Sequence, residues 1–494
     1  MRPKDLASLC SINRRSLLKA SLLGAGAMAL PSFFSACGDS ALPGDPLTVD
    51  PSTPWWLQNG FEPVFTEVTA LDLPVRGAIP PELDGIYVRN GSNPQNRDSP
   101  HWFLGDGMVH AVRLEKGRAK SYRNRYVRTA LYQRGVNFSD TIKLGLAPGG
   151  PNGTSNVSTF YQGGRLISSG EIGAGFEIDP ETLETIGLQT YGSRITNSLT
   201  AHPKVDPETG HLHCFGYWFS PPYLTYYELD SQGNVVHEAP IEVEKASMFH
   251  SFAITDREAV FWECPVLFDL QSAIENPIDA FSWTPEYGAR IGILPFGAPG
   301  SAIRWVELPA PCYVFHEVNA FRRGTEIVID VHRLEEVFGS TDLAAGQDRI
   351  TRWIVDTAGR DLTFREEIVN YNNWDLPSHD RRFTGRKYRH SWHTVFRDEP
   401  VGVNIGGIGY LDLDTGRDEL WDPGPSRHSG EPFFVPTGSA EGEGYLLAFV
   451  YDRHRASSVL AIFEAMDHAK GPVAEIELPQ RVPFGFHGCW VPAG

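Results

Sequence analysis

The sequence has no C-x-x-C pair, which argues against a zinc ribbon and against a thioredoxin-type redox site. Its six cysteines, Cys10, Cys37, Cys214, Cys264, Cys312 and Cys489, are scattered. The last four are expected to be free or individually buried. Positive charge is scarce: 43 Lys and Arg against 61 Asp and Glu leave a net charge of −18. Such a chain repels phosphate backbones, so nucleic acid is not expected among its partners. No sustained 3.6-residue hydrophobic period appears, so helices should be few. Turn formers are plentiful, with Gly 49 and Pro 37. A length of 494 residues suggests about three domains on size alone, but large all-β chains reach such lengths as one domain, and the composition favours that reading.

The N-terminus reads NRRSLLKASLLGAGAMALPSFFSAC. Arg14 and Arg15 precede an apolar run from Leu17 to Leu30, the order of a signal peptide. The run is too short and too rich in Gly and Ala for a transmembrane span. RRSLLK resembles the twin-arginine export signature, a route that carries folded proteins and suits one that loads a metal first. Export to the periplasm or cell envelope is therefore expected. Cys37, in FSACG, also resembles a lipid attachment site, although Phe34 stands where an aliphatic residue is usual. Residues 1–37 are read as a leader, 38–59 as a Pro-rich tether, and 60–494 as a single catalytic domain.

From about residue 60 onward the chain reads as short strands between Gly turns, with GIYVRN and MVHAVRLEKGRAKSYRNRYV taken as alternating strands. One pattern recurs: an aromatic-aliphatic strand, an Asp, a turn and a polar strand. It appears in FEIDPETLETIG, YELDSQGNVVHE, WIVDTAGRDLTF and YLDLDTGRDELW. The turn aspartates Asp179, Asp230, Asp356 and Asp414 are 51, 126 and 58 residues apart. A period of about 50–65 residues per four-stranded unit belongs to a β-propeller, and the domain has room for about seven units. Unrelated hairpins are the competing reading, since Asp-Gly turns are common in β proteins.

Of sixteen histidines, His101, His237, His379, His428, His454 and His468 lie in polar contexts and read as surface. His211 and His213 would share one strand face, a spacing that also suits a metal. Four others share another context: His202 in LTAHPKVDPETG, His250 in SMFHSFAIT, His316 in CYVFHEVNAF and His487 in FGFHGCW. They are 48, 66 and 171 residues apart, close to one, one and three propeller periods. If each stands where the innermost strand of a blade begins, all four meet on the axis. Neutral imidazole is a common metal ligand, but a single buried histidine is more often plain core. Four imidazoles leave a divalent charge uncompensated, so carboxylates holding the outer ring N–H groups are expected. Glu171 in SSGEIGAGF, Asp375 in NWDLPSHD and Glu431 in SGEPFFVP are the candidates.

GIYVRNGSNP, GDGMVHAV, SLTAHPKVDPETG, FHSFAIT, VFHEVNAF, GEPFFVP and PFGFHGCWVP, in this order, resemble the carotenoid cleavage oxygenase family. The resemblance runs from about residue 60 to the C-terminus. It implies an all-β fold, a seven-bladed propeller with a dome of loops and short helices over one face. It implies one Fe(II) on the axis held by His202, His250, His316 and His487, with Glu171 and Glu431 behind them. The family's third carboxylate is a glutamate; Asp375 takes its place here and must make up a missing methylene through the backbone or a water. The implied activity is a dioxygenase reaction, in which O2 cleaves a conjugated C=C bond of the substrate into two carbonyl products. Four ligands leave two octahedral positions open, and no protein nucleophile is required.

Stilbene-cleaving members resemble one another in a Lys shortly after an R-Y-x-x-T string, where it meets a phenol. Here NRYVRTALYQRG places Leu131 at that point, which favours a carotenoid or apocarotenoid over a stilbene-like substrate. Trp102, Phe103, Phe249 and Phe315 are candidate walls of a hydrophobic tunnel. The competing readings are a lyase or isomerase of retinoid-like esters and a non-catalytic envelope propeller that binds a hydrophobic ligand. The sequence reading yields one sharp expectation. Deletion from His487 onward should remove both iron and activity, measured by metal analysis and product formation.

Overall fold

In the computed structural model of the chain, residues 50, 52–96, 99–338, 344–345, 349–397 and 405–493 are described. The leader with Cys37, and residues 38–49 of the expected tether, lie outside the described residues.

Seven antiparallel sheets of four or more strands follow one another along the chain, and they form the seven blades of a β-propeller. Blade 1 is built around Gly85–Ser92, Gly107–Glu115 and Arg118–Tyr126. Blades 2 to 6 begin with Ser158–Gln162, Lys204–Val205, Ala253–Ile254, Glu317–Arg323 and Trp374–His379. Blade 7 contains Gly444–Asp452, Ser457–Glu464 and Ala474–Glu477. Among the described residues the only α-helices are Ala130–Arg134 and Leu270–Glu275, in keeping with the missing helical period.

Three short segments close the ring. Gly488–Pro492 pairs with Gly85–Arg89 as the innermost strand of blade 1. Thr69–Leu71 adds the outermost strand of the same blade. Val75–Gly77 pairs with Ala474–Glu477 at the rim of blade 7. The two ends of the domain are thus knitted together by backbone hydrogen bonds.

The recurring turn pattern marks blades. Asp179, Asp230 and Asp356 stand at the hairpin between third and fourth strands in blades 2, 3 and 5. The 126-residue gap is two blades, because blade 4 turns through GAPG instead. In blade 6 the turn is capped by Asp412, whose carboxylate accepts the backbone N–H groups of Asp414 and Thr415. Asp414, the residue named from sequence, therefore lies two residues past the capping one.

The alternation assigned to GIYVRN is not realised. All eight residues of Gly85–Ser92 are buried, as are all eight of Ile405–Asp412. Inner strands are covered on both faces by neighbouring blades, which removes the period-two signal. Their polar side chains are tied across blades instead: Asn90 donates to the carbonyls of Ser155 and Ser158 at 3.0 and 3.1 Å. Alternation survives on outer strands such as Thr185–Gln189. The last part of the expected tether is also no tether. Trp55–Leu57 forms a short turn of helix, and the Trp55 ring packs edge-on against Phe61 and near Trp102. Burying that aromatic area outweighs the loss of chain freedom.

In an antiparallel blade the second-to-third connection leaves on the side where the first strand begins. The described parts of the long connections, 93–96, 99–106, 264–289 and 334–338, therefore gather over one face, together with 127–157 between blades 1 and 2. They form the dome.

The ring closure changes what a C-terminal deletion reports. Ending the chain at His487 removes the innermost strand of blade 1 and its pairing with Gly85–Arg89, so the truncated chain should melt well below the full chain by circular dichroism. His487→Ala should keep the melting transition within about 1–2 kcal/mol of stability and isolate the role of the imidazole.

Candidate metal centre

Each of the four histidines stands just before an innermost strand. His202 precedes Lys204–Val205 of blade 3, His250 precedes Ala253–Ile254 of blade 4, His316 precedes Glu317–Arg323 of blade 5, and His487 precedes Gly488–Pro492 of blade 1. These starts lie together at the dome end of the axis. Five of the six ring pairs have centroid separations of 4.6, 5.2, 4.6, 5.3 and 5.0 Å. One nitrogen from each of His202, His250 and His316 falls within 4.8 Å of the others. His487 joins them through its ring contacts with His202 and His316 and stands farther from His250.

The three carboxylates come from the remaining blades. Glu171, in the 170–174 connection of blade 2, meets His250 Nδ1 at 2.7 Å. Asp375, in the innermost strand of blade 6, meets His316 Nδ1 at 2.8 Å. Glu431, from blade 7, meets His487 Nδ1 at 2.8 Å and accepts the Gly488 N–H at 2.9 Å. An ionised carboxylate only accepts, so each Nδ1 carries the proton. That fixes the tautomer and leaves the Nε2 lone pair of each ring free. His202 has no carboxylate partner; its Nε2 faces His250 Nε2 at 3.0 Å.

Asp375 reaches His316 directly, without a bridging water. The backbone makes up the missing methylene: the pairing register shifts between Asp375 and Ser378, and Leu376 takes a left-handed φ of 49°. Such a bulge re-aims the side chain that precedes it. Burial opposes ionisation of Asp375, yet the hydrogen bonds it accepts from His316 and from the backbone of Leu376 help hold its carboxyl below the usual carboxylate range. Behind Glu171, the buried Tyr217 hydroxyl donates to Oε1 at 2.7 Å. Tyr217 was not foreseen, because nothing in FGYWFS distinguishes it from core.

Burial pushes the His202 imidazole well below its ordinary pKa, and the three neighbouring imidazoles push it further. Burial likewise lowers His316 against the pull of Asp375. The His202 and His316 rings are therefore neutral. His316 Nε2 is a buried nitrogen with no hydrogen-bond partner, an arrangement that costs free energy unless something else fills the lone pair. Converging neutral nitrogens with carboxylates behind them suit a divalent transition-metal ion, which supplies the missing acceptor of electron density.

Apolar walls flank the histidines on two sides. Phe486 carries Trp102 at 4.5 Å and Phe103 at 5.7 Å between ring centroids. Phe315 lies edge-on to His250 at 5.1 Å and against Tyr313 at 4.7 Å. Phe249 is core, 1% exposed. His213 is no ligand: its ring bonds Tyr226 Oη at 2.6 Å and stacks on Phe296. His428 and His468, read as surface, are buried.

Residues 61–492 match the family described as Retinal pigment epithelial membrane protein. The chain is 32% identical to a carotenoid 9,10(9',10')-cleavage dioxygenase 1 of Arabidopsis thaliana, over 88% of this chain and 89% of that protein. It is 33% identical to a carotenoid cleavage oxygenase of Mycobacterium tuberculosis, over 88% and 97%. The fold superposes on the crystal structure of Pseudomonas brassicacearum lignostilbene dioxygenase with a TM-score of 0.81 and 27% identity, covering 89% of this chain and 99% of that one. The family expected from the motifs is the family found: the chain belongs to the retinal pigment epithelial membrane protein family, which includes the carotenoid cleavage oxygenases.

Proposed function

We propose that the protein is a non-haem Fe(II) dioxygenase that cleaves a conjugated C=C bond of a carotenoid or apocarotenoid. The observation that carries this reading is the convergence of His202, His250, His316 and His487, three of them with Nδ1 held by a carboxylate. These four would hold the iron through Nε2. Bound there, ferrous iron supplies a centre at which O2 is activated towards a C=C bond; the balance is one alkene and one O2 giving two carbonyl products.

The chain's own residues prepare that chemistry. Glu171, Asp375 and Glu431 keep each Nδ1 protonated and each ring in place. Burial keeps the His202 and His316 imidazoles neutral. Phe315 on one side, and Phe486 with Trp102 on the other, exclude water and present flat apolar faces to a planar conjugated substrate. A cavity of about 860 Å³ opens among the dome connections and is walled by Trp218, Phe219, Leu267 and Phe268. Trp218 and Phe219 pack on the same apolar cluster as Phe315 and Phe249.

The likeness to lignostilbene dioxygenase supports a second reading, stilbene cleavage at the same centre. Leu131 favours the polyene. It is 1% exposed, within Ala130–Arg134, and offers no charge to a phenol. Export by the twin-arginine leader, with a lipid on Cys37 as an option, belongs to the same proposal. It is supported by RRSLLK and the apolar run after it, and is checked by fusing residues 1–37 to a folded reporter and locating it.

The protein reconstituted with Fe(II) under argon, then given labelled O2 and a panel of carotenoids, apocarotenoids and stilbenes, should yield labelled carbonyl products by mass spectrometry. No product from any of them, with iron bound, would overturn the proposal. Asp375→Ala and Glu171→Ala should each weaken iron retention by about 10–100-fold. Asp375→Glu should weaken it less than Asp375→Ala, because an acceptor for His316 Nδ1 remains; both are measured by chelator competition.

A further inference from the structure

Three of the four histidines are held by a carboxylate; His202 is not. Its own strand gives it little support. Lys204–Val205 is two residues long and pairs with His213 and Leu212, whereas the strand that follows His316, Glu317–Arg323, has seven residues. What ties the His202 segment down lies two residues further on. Lys204 Nζ is ion-paired with Glu317, next to His316, and the two side chains are only 17% and 7% exposed. The second Glu317 oxygen accepts the Ser251 hydroxyl at 2.6 Å, and Ser251 follows His250. Among the described residues no other carboxylate is ion-paired with Lys204, and no other cation with Glu317.

Lys204 belongs to blade 3 and Glu317 to blade 5, and Ser251 leads into the innermost strand of blade 4. Blades 3 and 5 are not neighbours, so the pair can meet only where the innermost strands converge, at the axis. Each member of the cluster is the first or second residue after a histidine of the centre. The cluster therefore joins three of the histidine-bearing segments beside the centre itself. Between His202 and Lys204 stands Pro203. Its ring fixes φ, and it also restricts the backbone of the residue before it, His202. A shift at Lys204 is thus passed to His202 rather than absorbed by the chain. A buried ion pair with a further hydrogen bond is a geometric constraint, whatever its net contribution to stability. Being neutral as a pair, it adds no charge to the three carboxylates already behind the centre.

We propose that Lys204 is a positioning residue of the metal centre: through its ion pair with Glu317 it sets the place of His202, as Glu171, Asp375 and Glu431 set the other three rings. This rests on the reading of the four histidines as iron ligands, and not on the substrate. It gives each ligand one acidic partner, three of them direct and the fourth acting through Lys204 and the backbone. It also couples the ligands, because a displaced Glu317 loosens the His202 and His316 segments together.

Lys204→Met alone would leave the Glu317 charge buried without its partner, which destabilises the fold. The test therefore uses full-length protein carrying Lys204→Met and Glu317→Gln together. The control removes a similarly buried pair between blades 5 and 4 that adjoins no histidine of the centre, by Arg322→Met with Glu258→Gln. Both double variants should melt near the wild type by circular dichroism. In chelator competition with Fe(II) and with Co(II), the Lys204 double variant should retain metal about tenfold less well. The visible absorption of its bound Co(II) should shift as one ligand moves. The control should hold both ions within about twofold of the wild type, as expected of a site with no shared partner. Wild-type retention and spectrum in the Lys204 double variant, or an equal loss in the control, would overturn the proposal. If the wild type binds neither ion, the iron reading fails, and crystal structures of the metal-free proteins then decide the role of Lys204. In the variant, His202 Nε2 should have left its 3.0 Å approach to His250 Nε2 and passed out of hydrogen-bond reach; a ring still in its wild-type place overturns it.

Discussion

Three hydrogen bonds, each from a histidine Nδ1 to a carboxylate, decide what this propeller can hold. Each runs between two different blades: blade 4 to blade 2, blade 5 to blade 6, and blade 1 to blade 7. With His202 from blade 3, every blade contributes one group to the centre. Such a set has the right geometry only if the ring is closed. Closure depends on Gly488–Pro492, Thr69–Leu71 and Val75–Gly77 pairing across the junction. The backbone ladder at the closure and the side-chain array at the axis are therefore one cooperative unit. Pulling His487 away also pulls at the strand that locks blade 1.

The same constraint explains the local irregularities. A regular strand would carry Asp375 too short of His316 Nδ1. The bulge after it, with Leu376 in the left-handed region, restores a 2.8 Å contact. Glu431 lies between Arg427–Ser429 and Phe433–Pro436, where the inner strand of blade 7 is interrupted, and one carboxylate then serves both His487 Nδ1 and the Gly488 N–H. Gly488 is needed at that point because a Cβ there would lie 2.6 Å from the Val88 carbonyl. These departures from regular strand geometry cost stability locally and serve the centre.

Burial does two further things. It keeps His202 and His316 neutral, as a metal ligand must be, and it sets aromatic rings such as Phe315 beside the centre. A centre of this kind offers little to a charged substrate along its walls and much to a flat conjugated one.

The sequence by itself determined the repeat, the all-β class and the four histidines, because each of these is a periodic property of one chain. Asp-bearing turns mark successive hairpins, and a histidine before an inner strand returns at blade spacing. The carboxylates were legible as acids in Gly-rich or apolar strings, but their pairing was not, since Glu171 and His250 share no spacing rule. Nor was the burial of Gly85–Ser92 legible: alternation is a property of strands with one wet face, and only the packing of neighbouring blades removes that face. The Asp375 bulge, the Tyr217 support behind Glu171 and the packing of Trp55 where a tether was expected were decided by the tertiary structure alone. Each depends on a neighbour that lies tens to hundreds of residues away along the chain.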